Sequence, residues 1–130
     1  MLASPWRPIG SPNPDDDFVA LLTYLPLKSY LRVLPFFIYS AQVMRQLASA
    51  DGLAGYSFLA RPLSKQFWTL SAWKNEDALR KFVEHPPHAR IMTAMAPHMG
   101  PTKFVRWRVK GSELPLDWQD ALRRFAKNRP

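Results

Sequence analysis

The chain has 130 residues, no cysteine, 13 prolines and a formal net charge of +8. That length suits one domain, and the lack of thiols excludes a disulfide framework, a thiolate metal site and a cysteine nucleophile. With 47% hydrophobic and 13% aromatic residues, the chain has enough apolar surface to form a packed core and is not of the disordered class.

The positive charge is scattered, apart from Arg123, Arg124, Lys127 and Arg129 near the C-terminus, and reads as a solvated basic surface rather than a polyanion site. Residues 1–16 are rich in proline and lack the apolar centre of a signal peptide, so they read as an irregular arm before a single domain over 17–130. The longest apolar stretch without a charge, Val33 to Met44, is far shorter than the ~20 residues a transmembrane helix needs. A cytoplasmic protein without a transmembrane segment is expected.

After Asp15, Asp16 and Asp17, the run from Phe18 to Leu25 is apolar on both alternating faces, the pattern of a strand inside a sheet. Pro35 suits a first helical turn. From there Val33, Phe36, Phe37, Ser40, Val43, Met44 and Leu47 recur at helical spacing, with a stop expected near Asp51-Gly52. A strand over Leu53 to Ala60, a polar turn over Pro62 to Lys65 and a strand over Phe67 to Trp73 make a hairpin. Phe67, Thr69, Ser71 and Trp73 share one face of the second strand; Trp68, Leu70 and Ala72 share the other.

Asn75 is a helix N-cap ahead of Glu76 and Asp77, and Pro86-Pro87 ends that helix. A further helical segment runs from His88 to Met95, before Pro97. Thr102 to Val109 alternates as a strand. Asp117 caps a last helix with Trp118, Ala121, Leu122 and Phe125 on one stripe. The order β-α-β-β-α-β plus a terminal helix is the ferredoxin-like α+β arrangement. Large residues in both alternating sets of the strands require a cover on the sheet face away from the helices. A second copy of the chain is the simplest cover, so a homodimer is expected, with one of Trp68 and Trp73 beneath the helices and the other at the dimer face.

Three stretches, GLAGYSFLARPLSKQ, FWTLSAWKNEDALRKFVEHPPHARIM and FVRWRVKGSELPLDWQDAL, resemble the antibiotic-biosynthesis-monooxygenase superfamily of dimeric α+β barrels. Within it, they are similar to the small bacterial proteins related to spheroidene monooxygenase. The likeness covers roughly residues 17 to 125. It implies a dimer whose sheets close into a barrel, with a ligand cavity between sheet and helices of each protomer. Activities in the superfamily range from cofactor-free oxygenation of polycyclic phenols to heme degradation. Heme-degrading members carry a Trp and an axial His on the helix after the Trp73 strand. Phe82 and Met92 fall at those positions, so that motif is missing. His88, one turn before Met92, keeps heme ligation open, and the cofactor is expected to be none or heme.

His88 is the main candidate for chemistry and His85 the weaker one, because the two flank the helix break at Pro86-Pro87 and imidazole is the natural acid-base group near neutral pH. His88 reads as a base for a phenol proton or an iron ligand, or else as a residue bridging backbone groups at the break. Phe36, Phe37, Ser40 and Met44 of the first helix, Trp68 and Trp73 of the strand, and Met92 and Met95 are expected to line an apolar pocket, which should lower the His88 pKa. No dedicated metal site is expected unless His88 binds heme iron. Nucleic-acid binding is not expected: an RNA-recognition module needs a Gly-containing aromatic strand, and FWTLSAW has no glycine. The chain reads as a monooxygenase-like protein whose pocket takes an aromatic, polyene or heme-like ligand; the alternative is a non-catalytic ligand-binding or structural homodimer.

Overall fold

In the computed structural model, which describes residues 2–127 and so leaves Arg129 outside, the longest strand is the central one. This strand, β3 (Asp17–Pro26), pairs with β5 (Gln66–Trp73) on one side and β6 (Lys103–Lys110) on the other. Its Ala20 and Leu22 are fully buried, which explains why its sequence lacks the apolar–polar alternation of a half-solvated strand. β4 (Leu53–Arg61) pairs with the far side of β5. The order β4-β5-β3-β6, antiparallel throughout, is ferredoxin-like.

Helices α1 (Val33–Ala48), α2 (Glu76–Glu84) and α3 (His88–Met95) lie on the face that carries Leu21, Tyr56, Phe67 and Trp73. The expected caps form. Asn75 Oδ1 accepts the Ala78 N–H at 2.8 Å, and Asp117 Oδ2 accepts the Asp120 N–H at 3.1 Å at the start of α4 (Trp118–Lys127). The first helix ends at Ala48, earlier than the glycine suggested. Gly52, at φ 82°, instead turns the chain into β4, where a Cβ would stand 2.7 Å from that of Ala78.

Two expectations fail together. The N-terminal segment is not irregular throughout: β1 (Leu2–Ala3) and β2 (Arg7–Pro8) both pair with the outer edge of β4. A bare edge offers unpaired backbone groups, and the arm satisfies them. Between these two strands Trp6 lies so close over Gly55 that a Cβ there would be 2.4 Å from the indole. The second sheet face, expected to need a partner, is covered by this arm and by the C-terminal segment. Trp6, Leu116, Trp118, Leu122 and Phe125 pack on Leu22, Leu59, Trp68, Leu70 and Val105, and the Trp118 indole N–H donates to Ser57 Oγ at 2.8 Å. Trp68 is therefore buried under α4, not presented to a dimer face. Among the described residues no helix is long and apolar enough to cross a membrane.

Candidate functional site

The helices do not close fully on the sheet. A cavity of about 170 Å³ remains, walled by α1, α2 and α3 and floored by β3, β4 and β5. Its floor carries hydroxyls among apolar groups. Thr23 faces Thr69 across the β3–β5 pair, and Ser71 faces Leu21 one step along. The Trp73 indole N–H donates to Ser71 Oγ at 2.8 Å, so this large ring is satisfied while only 1% exposed. Val83 and Phe104, both lining residues, are exposed, and mark where the cavity meets solvent.

Of the residues expected at a pocket, Phe36, Ser40, Trp73, His88, Met92 and Met95 line this one. Three do not. The Phe37 ring stands edge-on to Phe67 with centroids 5.6 Å apart and its outer side in water. Met44 packs at the margin of the Trp73 cluster, and Trp68 is on the opposite side of the sheet. A helix stripe inferred from spacing is wider than a cavity wall, so Phe37 and Met44 were carried in by their neighbours. His85 is also apart. It is exposed and borders a separate, open cleft of about 470 Å³ between the end of α1 and α2, with Asp51, Lys74, Asp77 and Lys81.

His88 sits where α3 begins. Its Nδ1 is 3.2 Å from the Val83 carbonyl oxygen; a carbonyl only accepts, so Nδ1 carries the hydrogen and Nε2 holds the lone pair of the neutral ring. The ring centroid lies 5.1 Å from that of Phe82, which in turn is 5.2 Å from Trp73. Burial against these apolar groups pushes the His88 pKa below its ordinary value; the Val83 carbonyl pulls the other way and is the smaller influence. Burial thus favours the neutral ring, with the lone pair on Nε2.

Gln46 of α1 is the residue that sequence reasoning missed. Its side chain bonds to the backbone of Phe82, His85 and His88, joining the end of α2 to the start of α3. Thr69 and Ser71 share the β5 face expected from its alternation, but the pairing that brings Thr23 of β3 beside them is not legible in the sequence.

Among the described residues no three His, Cys, Asp or Glu side chains gather as a metal site. A heme does not fit the cavity. Its 170 Å³ is below the ~300–1,000 Å³ of ordinary ligand pockets, and no Lys or Arg lines it to meet propionates.

No family model matches the chain, and no curated protein does. Solved structures do. A conserved protein from Methanosarcina mazei Go1 superposes with TM-score 0.64 at 14% identity, over 72% of this chain and 93% of that one. A Nitrosomonas europaea protein assigned to the antibiotic biosynthesis monooxygenases gives TM-score 0.63 at 16% identity, over 69% and 88%. SnoaB, a cofactor-independent oxygenase from Streptomyces nogalater, gives 0.59 at 16% identity, over 77% and 99%. The narrower likeness to spheroidene monooxygenase rests on the sequence resemblance alone. With sheet order, helix layer and these superpositions in agreement, the chain has the ferredoxin-like fold of the antibiotic-biosynthesis-monooxygenase-like proteins.

Proposed function

We propose that this chain is a small-molecule oxygenase that takes an aromatic ring, or one end of a polyene, into the cavity between Trp73 and His88. The observation that carries the reading is the His88 imidazole, bonded through Nδ1 to the Val83 carbonyl and set among mainly apolar side chains with a few hydroxyls in the cavity lining. An apolar cavity of about 150 Å³ is enough for benzene, so the ligand would be one ring or a slender chain end. The hydroxyls of Thr23, Thr69 and Ser71 give its polar edge a place to bond.

The chemistry suited to this set is proton removal from an activated ligand. His88 Nε2 accepts the proton of a phenol or of an acidic C–H beside it, and the resulting anion is electron-rich enough to reduce O₂. A net conversion R₂CH₂ + O₂ → R₂C=O + H₂O balances without an added reductant. SnoaB, which shares the fold, is a cofactor-independent oxygenase; that is consistent with this route and supports it only by analogy. A homodimer belongs to the reading too, because a Thermobifida fusca protein of the same fold is a dimeric ferredoxin-like protein. The bare sheet face no longer supplies a reason for it.

The test is phenol binding, followed by quenching of tryptophan emission, alongside oxygen uptake on an electrode. The wild-type chain should do both, and His88→Gln should bind without uptake. Binding without uptake by the wild type would favour a non-catalytic carrier. Neither binding nor uptake would reject the cavity as the functional site. Light scattering on the same samples decides the homodimer.

A further inference from the structure

The apolar surface that folding leaves uncovered is concentrated at one end of the molecule. Leu31, Leu34 and Ile38 form a stripe on the outer side of α1 and the short 3₁₀ turn before it (Tyr30–Arg32); Leu31 is 86% exposed and Leu34 70%. Leu63, at the tip of the β4–β5 connection, is 90% exposed. These pieces are contiguous. The Tyr30 hydroxyl donates to the Leu63 carbonyl, and the Lys65 ammonium stands 4.7 Å over the Tyr30 ring. The surface is a protrusion, not a groove.

Its charge is of one sign. Between Phe18 and Asn75 the only acidic residue is Asp51, past the far end of α1, whereas Lys28 and Arg32 flank Tyr30 in sequence and Lys65 stands over its ring. In an isologous pair of copies this patch would face itself, setting Arg32 and Lys65 against their own kind with no carboxylate to pair them. Protruding leucines in a cationic rim suit a different occupant, an acyl layer beneath anionic headgroups.

We propose that this end of the molecule docks on the surface of an anionic lipid bilayer. Leu31, Leu34 and Leu63 enter the headgroup–acyl boundary, and Arg32 and Lys65 meet the phosphates and carboxylates above it. Helix α1 is apolar on both sides, and its two sides divide the work. Phe36, Tyr39, Ser40 and Val43 face the cavity, while Leu31, Leu34 and Ile38 face outward. Docking would hold the cavity about one helix diameter, ~10 Å, from the bilayer surface. Docking of this surface does not depend on what the cavity does.

Flotation of the purified chain with vesicles of phosphatidylcholine alone, or with 30 mol% phosphatidylserine (roughly the strongly anionic regime), tests it. Binding should be at least about tenfold stronger on the anionic vesicles and should fall with added salt. Arg32→Gln with Lys65→Asn should weaken it by about 30-fold, on about fivefold per cation at such a surface; Asn suits the left-handed backbone at Lys65 (φ 58°). Leu31→Ser with Leu63→Ser should abolish flotation while the melting temperature is unchanged, because both side chains are in water in the fold. Failure of the wild type to float with the anionic vesicles overturns the proposal. So does binding that survives loss of the two leucines, which would be plain adsorption of a basic protein. Conversion of a dimer to a monomer by the leucine variant, without vesicle binding by the wild type, would assign the patch to a second copy.

Discussion

The amide oxygen of Gln46 accepts the backbone N–H of His88 at 3.0 Å, and its amide nitrogen donates to the carbonyls of Phe82 (3.1 Å) and His85 (3.3 Å). The N-cap position of α3 is Pro87, which has no side-chain group to cap the helix. A side chain from α1 does so instead, and thereby fixes where the His88 ring starts. The histidine is local to the helix break, but its position is set from across the layer.

Gln46→Ala should therefore loosen the α2–α3 junction and lower stability by ~1–3 kcal/mol, the usual cost of leaving partly buried backbone groups unpaired. Thermal melting reads the loss, and amide exchange should quicken most at His88. A melt identical to the wild type would mean that water replaces the side chain without cost.

Stability should also depend on pH through His88. Its pKa is lowered in the fold, chiefly by burial, so the folded state binds fewer protons than the unfolded state near the ordinary value of ~6.5. The contribution is present in full above that value and is lost as the pH falls through it towards the folded pKa. The melting temperature should drop between neutral and mildly acidic pH, and His88→Gln should flatten that drop. An NMR titration placing the His88 midpoint at or above ~6.5 would contradict the burial argument.

Trp73→Ala should cost ~3–5 kcal/mol, as removal of a buried aromatic does, because the ring anchors Leu21, Leu47, Tyr56, Leu79 and Phe82 in one cluster. Chemical denaturation measures it. Trp73→Phe should recover much of the loss without the bond to Ser71. An unchanged unfolding midpoint in the alanine variant would show that the ring is a ligand contact only.

Gly55→Ala should release the N-terminal arm. The new methyl would sit 2.4 Å from the Trp6 ring, so the indole must lift and the pairing of Arg7 and Pro8 with β4 must go with it. Limited proteolysis should then cut within the first dozen residues faster than in the wild type. The uncovered apolar sheet face should raise self-association, seen by light scattering. Equal cleavage rates would place the arm's anchorage elsewhere.

Much of the fold follows from local pattern. The unbroken apolar run after Asp17 specified a central strand, alternation through β5 placed Trp68 and Trp73 on opposite faces, and Asn75, Pro86-Pro87 and Asp117 marked helix ends through groups that act within a few residues. The helix break also pointed to His88, which is among the residues lining the cavity between helices and sheet. What covers the second sheet face could not be read this way. Apolar residues on a strand demand burial, but the demand is non-directional and does not name its supplier. The supplier proved to be Trp6, from a proline-rich stretch without periodicity, together with α4. The role of Gln46 was hidden for a related reason. Its partners are 36 to 42 residues away, and a glutamine on a helix looks the same in sequence whether it meets water or the backbone of another element. Local propensity determines which elements form and which way their side chains point. Only the packing of distant elements decides which polar atom meets which, and how much space is left between them.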